Sequence, residues 1–437
     1  MRSWTPPEVP EIPAFERPLH LHDTSRDELV EVPLRQGRGT LYVCGITPYD
    51  ATHLGHANTY VHFDVLVRHW LGAGREVTYV QNVTDVDDPL IERAEATGVD
   101  WRELAEEQTE LFREDMAALG VIPPGTYLGA VETVPQVVED VERLLAAGTA
   151  YRVPVATQEL PEGIEAAEDI YFDNSAAEAH TPWRLGSVGG YDRATMEELF
   201  PARGGDPQRA GKRDPLDPLL WRARRTGEPF WEGRSLGQGR PGWHIECSVI
   251  ARRHLPAPFA VQGGGSDLRF PHHEFSAAHA TAADGVPLAE TYFHTGMVGL
   301  EGEKMSKSKG NLVLVSSLRA EGVDPRVIRV LLLSHTPRSD WDFSHDDLRA
   351  AEQRIGRWEQ ALAAAPSGES PDQAAPDGHQ HEALQRAIHT ALADGLNTPA
   401  ALEAVDRWAA GDSAADTPAR RVRDVVLALL GIDLTRP

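Results

Sequence analysis

Cysteine is scarce: Cys44 and Cys247 are the two in 437 residues. A chain this long is not a disulfide-stapled scaffold, so the pair forms at most one bridge or remains as two thiols. Long apolar runs are missing as well, and none approaches the roughly 18 residues that a membrane span requires. The Pro-rich N-terminus MRSWTPPEVPEIPAFERPL has no apolar h-region, so a soluble, cytoplasmic protein is expected. Basic residues number 42 against 67 acidic ones, a formal net charge of −25. That balance disfavours broad contact with nucleic acid, because phosphate binding relies on Lys and Arg to displace counterions, and it favours small-molecule substrates. No internal repeat stands out.

What is present is an ordinary globular composition, 41% hydrophobic and 25% charged, in a chain longer than one core supports. TLYVC (40–44) reads as a short buried strand, 56–71 as a helix, and EVTYVQNV (76–83) as a second strand. Together they make a βαβ unit and predict a parallel sheet. Amphipathic helices are expected near 101–119 and 131–147, with Gly120 and Gly148 as stops. The α/β pattern breaks into short Gly-, Pro- and charge-rich segments, then resumes with a helix at 243–254, a strand at 258–263, a helix after Pro271 and a strand at 291–298. The expected organisation is an N-terminal extension (1–39), the two halves of a Rossmann-like catalytic domain (40–150 and 238–315), an inserted subdomain (151–237) and a C-terminal helical bundle (316–437) with a flexible linker at 366–380.

Two motifs carry chemistry together. THLGH (52–56) falls at a loop-to-helix junction, where a helix N-terminus and two imidazoles can stabilise a phosphate, and Gly55 lets a nucleobase approach the backbone. Alone it reads equally as surface or core histidines. KMSKSKG (304–310) is a lysine loop able to neutralise departing pyrophosphate, or a solvated charge run. Each lies on the half of the split sheet where the other could complete one site.

HLGH (53–56) and KMSKS (304–308) resemble the HIGH and KMSKS motifs of class I aminoacyl-tRNA synthetases. The chain is more similar still to their cysteine-specific branch, through YVCG (42–45), NVTDVDD (82–88), GRPGWHIECS (239–248) and GGGSDLRFPHHE (263–274). By residue type, Cys44, Cys247 and His272 can converge at the carboxyl edge of the sheet as a tetrahedral Zn²⁺ site with an open fourth position; the plain alternative is two buried free cysteines. The resemblance implies the zinc. It also implies that Asp267 and Thr84 hold the substrate's α-amino group, that Trp243 lines the amino-acid pocket, and that Gly264, Gly265 and Ser266 approach adenosine. Thr47, His53, His56, Lys304 and Lys307 then form the ATP group, with Mg²⁺. Gly45, Ile46, Thr59, Asn82, Val83 and Val298 are expected to line the same adenylate site.

Several departures point away from tRNA charging. The first motif reads CGITPYDATHLGHAN (44–58) where those synthetases have CGPT and end in HAR; Pro89 stands for a customary Lys, and Ser276 for the Glu that ligates zinc one helical turn after the histidine. His273 and Glu274, one and two residues on, are expected to point away from the face of His272 and to contact the ligands or the sheet, with Glu274 as the first fallback ligand. The 129 residues after Ser308 suffice for a helical bundle alone. These features resemble the cysteine ligase family of mycothiol biosynthesis, whose ERGGDP motif appears here as ARGGDP (202–207), with Ala202 in place of the Glu; alone RGGDP is a turn by composition. The resemblance implies activation of L-cysteine by ATP and its transfer to the amine of glucosaminyl-inositol by one chain, with no tRNA or membrane partner.

Overall fold

The computed structural model describes residues 1–49, 52–304, 311–365, 382–411 and 418–435. The KMSKS residues 305–308, Lys307 among them, and the linker expected at 366–380 lie outside the described residues. A hairpin, β1 (His20–Asp23) and β2 (Glu28–Glu31), precedes the apolar run that forms β3 (Gly39–Val43), buried at every position. Helix α1 (Leu54–Gly72) and β4 (Val77–Val83) complete the expected βαβ unit. Nearly every side of α1 is buried, as befits a helix packed on a sheet beneath and on other helices above. Helix α2 (Asp88–Thr97), capped by Asp87, was not legible from periodicity, nor was the four-residue strand β5 (Thr126–Gly129). The helices α3 (Trp101–Ala118) and α4 (Ala130–Ala146) match the expected spans to within a residue.

The irregular stretch contains β6 (Ala150–Pro154), β7 (Glu168–Phe172), α5 (Asn174–His180), α6 (Arg193–Ala202), β8 (Leu219–Ala223), β9 (Trp231–Glu232) and β10 (Gln238–Pro241), whose strands form their own antiparallel sheet. Next come α7 (Trp243–His254), β11 (Phe259–Gly265), α8 (Glu274–Asp284) and β12 (Ala289–Thr295). The single strand expected at 291–298 is in fact two, because β13 (Val298–Leu300) leaves the main sheet to pair with β14 (Glu303–Lys304). The chain ends in α9 (Val315–Ala320), α10 (Pro325–Leu333), β15 (Trp341–Phe343), which joins β13, and the helices α11 (His345–Ala364), α12 (Ala383–Ala393), α13 (Thr398–Ala409) and α14 (Ala419–Leu430).

The main sheet is parallel throughout, in the order β12-β11-β3-β4-β5. Chain direction across the sheet reverses between β3 and β11, and in doubly wound sheets ligands bind outside the carboxyl ends at that reversal. Everything placed just after Val43 and Gly265 therefore faces one crevice.

The seam between α1 and the C-terminal helices is ionic. Asp64 Oδ2 accepts from Arg68 Nε at 2.7 Å and from Arg329, while Asp64 Oδ1 accepts from the Ile122 amide at 2.7 Å. The two guanidiniums reach on to the carbonyls of Leu427 (2.8 Å) and Leu430 (2.6 Å) at the end of α14. Burial alone would raise the Asp64 carboxyl, but Arg68 and Arg329 more than reverse this and hold it below its ordinary value. A carboxyl with a depressed folded pKa adds stability above its unfolded value, near pH ~3.9, and loses it as pH falls through the folded value. Asp64→Asn should therefore cost about 3–5 kcal/mol near neutral pH, where it leaves buried guanidiniums uncompensated. Urea denaturation followed from pH 7 down to pH 2 should show that deficit shrinking in acid; a constant deficit would contradict the assignment.

Candidate active site

Cys44 is the first residue beyond β3, and its amide donates to the Gly263 carbonyl at 3.0 Å, which pins it to the point where β3 and β11 diverge. Cys247 lies one turn into α7, and His272 sits in the irregular turn Arg269–His273 that precedes α8. All three are buried, and their ligating atoms lie within 4.8 Å of one another. The two Sγ atoms are 3.9 Å apart, and His272 Nε2 is 3.2 Å from Cys247 Sγ. Two thiolates on one tetrahedral zinc, at ~2.3 Å each, would lie about 3.8 Å apart, so the donor set and its spacing fit such an ion. Both cysteines are free thiols at this separation, not a bridge. Burial pushes the Cys44 thiol well above its ordinary range and the His272 imidazole well below. The imidazole is thus in its ligating form, and a bound cation would reverse the preference of the Cys44 thiol.

The surroundings of these donors are almost all imidazole, amide and indole. His273 Nε2 lies 3.1 Å from Cys44 Sγ, its Nδ1 lies 2.7 Å from His294 Nε2, and His294 Nδ1 lies 2.7 Å from Thr24 Oγ1 in the β1–β2 turn. Gln262 Nε2 approaches Cys44 Sγ at 3.5 Å. His244 Nδ1 is 3.1 Å from His272 Nδ1, and the Trp243 ring stacks on His272 with centroids 4.2 Å apart. Contacts of this kind fix the orientation of a ligating ring.

Glu274 is a contact group, in keeping with the main expectation for it, and not the fallback ligand: its carboxylate accepts from Trp183 Nε1 (3.0 Å) and from the amides of Gly186 (3.0 Å), Val188 (3.0 Å) and Gly189 (2.7 Å), so it ties the inserted segment to α8. One sequence expectation needs correction. His273 does not turn away, because the chain kinks at Phe270 and the turn before α8 is not α-helical. Ser276 behaves as its chemistry suggests, its hydroxyl donating to the His272 carbonyl at 2.5 Å.

Next to the sulfur cluster, Asn82 Oδ1 accepts from the Gly45 amide (2.8 Å) and the Tyr42 hydroxyl (3.0 Å), and its Nδ2 donates to Thr84 Oγ1 (3.1 Å). A side chain at position 45 would put its Cβ 1.6 Å from the Asn82 carbonyl, so only glycine lets the chain pass β4. The Thr84 amide donates to the Ile46 carbonyl at 3.0 Å, Val83 ends β4 fully buried, and Tyr49 N donates to the Thr47 carbonyl at 3.0 Å. Thr59 Oγ1 lies 2.8 Å from Thr295 Oγ1, and buried Val298 opens β13. Gly265 ends β11, with Ser266 and Asp267 in the following turn.

His53 caps α1, its Nδ1 accepting from the Gly55 amide at 3.1 Å, and its ring stacks on His56 at 3.9 Å. Val313 and Val315 bond the backbone at Leu54 and Thr52, at 2.9 and 3.0 Å, so the chain returning from the lysine motif is laced to the histidine motif. Lys304 ends β14.

The profile of tRNA synthetases class I (C) catalytic domain matches residues 30–353. The chain belongs to that family. Its curated relatives include the L-cysteine:1D-myo-inositol 2-amino-2-deoxy-alpha-D-glucopyranoside ligases of Micrococcus luteus and Kocuria rhizophila, 60% and 55% identical, each aligned over 99% of this chain and 100% of its own length. Among solved structures, Mycobacterium tuberculosis methionyl-tRNA synthetase in complex with methionyl-adenylate aligns with a TM-score of 0.62 at 17% identity, over 90% of this chain and 91% of the other. That likeness extends the class I synthetase fold beyond the profile match. No described helix is long and apolar enough to cross a membrane.

For a class I synthetase (C) chain, the residues missed in the sequence are His244, Gln262, His294 and Thr24. The histidine of WHIEC was a usable signal; Thr24, some 20 residues before the first motif, gave none. Because Glu274 serves as a tie and not a ligand, Glu274→Gln should bind Co²⁺ with an unchanged thiolate charge-transfer spectrum while melting lower by several degrees. Loss of the thiolate band would make Glu274 part of the metal shell.

Proposed function

We propose that this chain is the ATP-dependent ligase of mycothiol biosynthesis that joins L-cysteine to the amine of glucosaminyl-inositol, releasing AMP and pyrophosphate. The observation that carries this reading is the end-to-end match to ligases of that name, which includes the helical C-terminal part as well as the catalytic core. Residues 40–150 and 238–315 act as the catalytic halves, 151–237 as the insert and 316–437 as the bundle.

In the first step a cysteine carboxylate oxygen attacks the α-phosphorus of ATP and pyrophosphate leaves. Since His53 Nδ1 accepts a backbone hydrogen, the neutral ring carries its proton on Nε2, as a donor for the phosphates; His56 stacks beside it at the positive end of α1. Lys304 and Lys307 offset the charge of the departing pyrophosphate, with Mg²⁺ bound to the nucleotide. Asp267 and Thr84 hold the α-ammonium, Gly264, Gly265 and Ser266 let adenosine lie against the backbone, and Trp243 keeps water from the side-chain pocket. Cys44, Cys247 and His272 would hold a zinc ion, which when bound would supply a soft contact for the substrate sulfur and separate cysteine from serine beyond the ~1–3 kcal/mol that a size-fitted pocket provides. In the second step the neutral sugar amine attacks the acyl carbon, the bond to AMP breaks, and the amine proton is lost to a base.

Purified protein given ATP, cysteine and glucosaminyl-inositol should form the amide and AMP in equal amounts, and should not charge tRNA. Cysteinyl-tRNA without amide would overturn the reading. Cys247→Ala should lower cysteine-dependent ATP–pyrophosphate exchange by more than about 100-fold, since losing a side chain that merely orients a ligand costs about 10- to 100-fold. Undiminished exchange would remove the metal from the activation step.

A further inference from the structure

The RGGDP turn has no part in the mechanism above, yet it reaches the site. It closes α6 with Gly205 flat on Phe200, where a Cβ would lie 2.4 Å from the ring. Asp206 is anchored by Lys212 Nζ at 2.9 Å and by the Tyr171 hydroxyl. This anchorage holds Arg203 over the segment between β11 and α8. Its Nη1 donates to the Asp267 carbonyl at 2.7 Å and also to the Phe270 carbonyl. Phe270 is the one residue of the 269–273 turn with extended backbone angles, φ −144° and ψ 136°, so the kink separating Asp267 from His272 falls at an Arg203 contact. From the same segment Arg269 reaches back to the Gly189 carbonyl through Nη2 at 2.7 Å, next to the amide that Glu274 holds.

We propose that Arg203 is a positioning residue that sets the spacing between Asp267 and the Cys44–Cys247–His272 cluster, and so the match to a substrate bearing an ammonium and a thiol on adjacent carbons. In cysteine the nitrogen and sulfur are separated by two carbons, and both must arrive together, the nitrogen at Asp267 and the sulfur at the cluster. One guanidinium nitrogen shared by the Asp267 and Phe270 carbonyls fixes how the chain turns between those two points. The inserted subdomain thereby enters amino-acid selection without touching the amino acid. This inference rests on the reading of Asp267 as the ammonium partner.

Cysteamine and ethanethiol differ by the ammonium alone, and their inhibition constants against cysteine-dependent ATP–pyrophosphate exchange read that contact directly. Wild-type protein should favour cysteamine. In Arg203→Ala that advantage should fall by about 10- to 100-fold, the scale of a reacting group displaced by about 1 Å, with ethanethiol unchanged. Arg203→Met, which keeps the aliphatic stem, reads the same contrast if the alanine variant fails to fold. An unaltered advantage, or equal weakening of both thiols, would overturn the proposal. Asp267→Asn separates the two ideas: it should abolish the advantage. If it does so while Arg203→Ala keeps it, the positioning role alone fails; if the advantage survives Asp267→Asn, the ammonium reading and the proposal fail together.

Discussion

Two thiols 3.9 Å apart and an imidazole against one of them, all removed from water, form an arrangement with a strong electrostatic preference. Burial holds the Cys44 thiol and the His272 imidazole in their uncharged forms, and a soft cation would draw that thiol into its ionised form. The rest of the site is built around that demand. Cys44 is pinned by a sheet amide, Cys247 by a helix that starts from the inserted sheet's last strand, and His272 by a kinked turn that the insert holds in place. Few folds bring three such remote points to one spot; the reversal of strand order between β3 and β11 does so because it opens a crevice at the carboxyl end of both strands.

A second constraint joins the histidine motif to the C-terminal helices. Helix α1 presents His53 and His56 at its first turn and Asp64 and Arg68 further along, so the helix that carries the motif is the one the C-terminal helices grip. The chain returning at Val313–Val315 is fastened to the same first turn. The two ends of α1 are thus held by different parts of the C-terminal chain, the first turn by Val313–Val315 and the later turns by Arg329 and the end of α14.

Much of this was legible in the sequence. The β3–α1–β4 unit follows from short β-branched runs flanking a helix, and Cys44, Cys247 and His272 were brought together from residue type and position as a group that could hold a metal. What escaped was decided by contacts distant in sequence. Glu274 was expected to turn away from the His272 face and to ligate only as a fallback, but the four donors of the insert that hold it could not be read from the sequence. The orientation of His273 was misread because helical spacing was assumed where the chain kinks. The small elements α2, β5 and the β1–β2 hairpin are too short to carry a period, and Thr24 was lost with the hairpin.

That threonine has a consequence once a metal is present. A metal-bound thiolate offers lone pairs and no hydrogen, so His273 must point an N–H from Nε2 at Cys44. Its Nδ1 is then an acceptor, His294 must donate to it from Nε2, and the remaining nitrogen of His294 can only receive the hydroxyl hydrogen of Thr24. Both rings are locked into a single tautomer, and the polarity of the whole line is dictated from its sulfur end. The β1–β2 turn would thus become the last link in a one-way hydrogen-bonded thread that ends on the Cys44 sulfur.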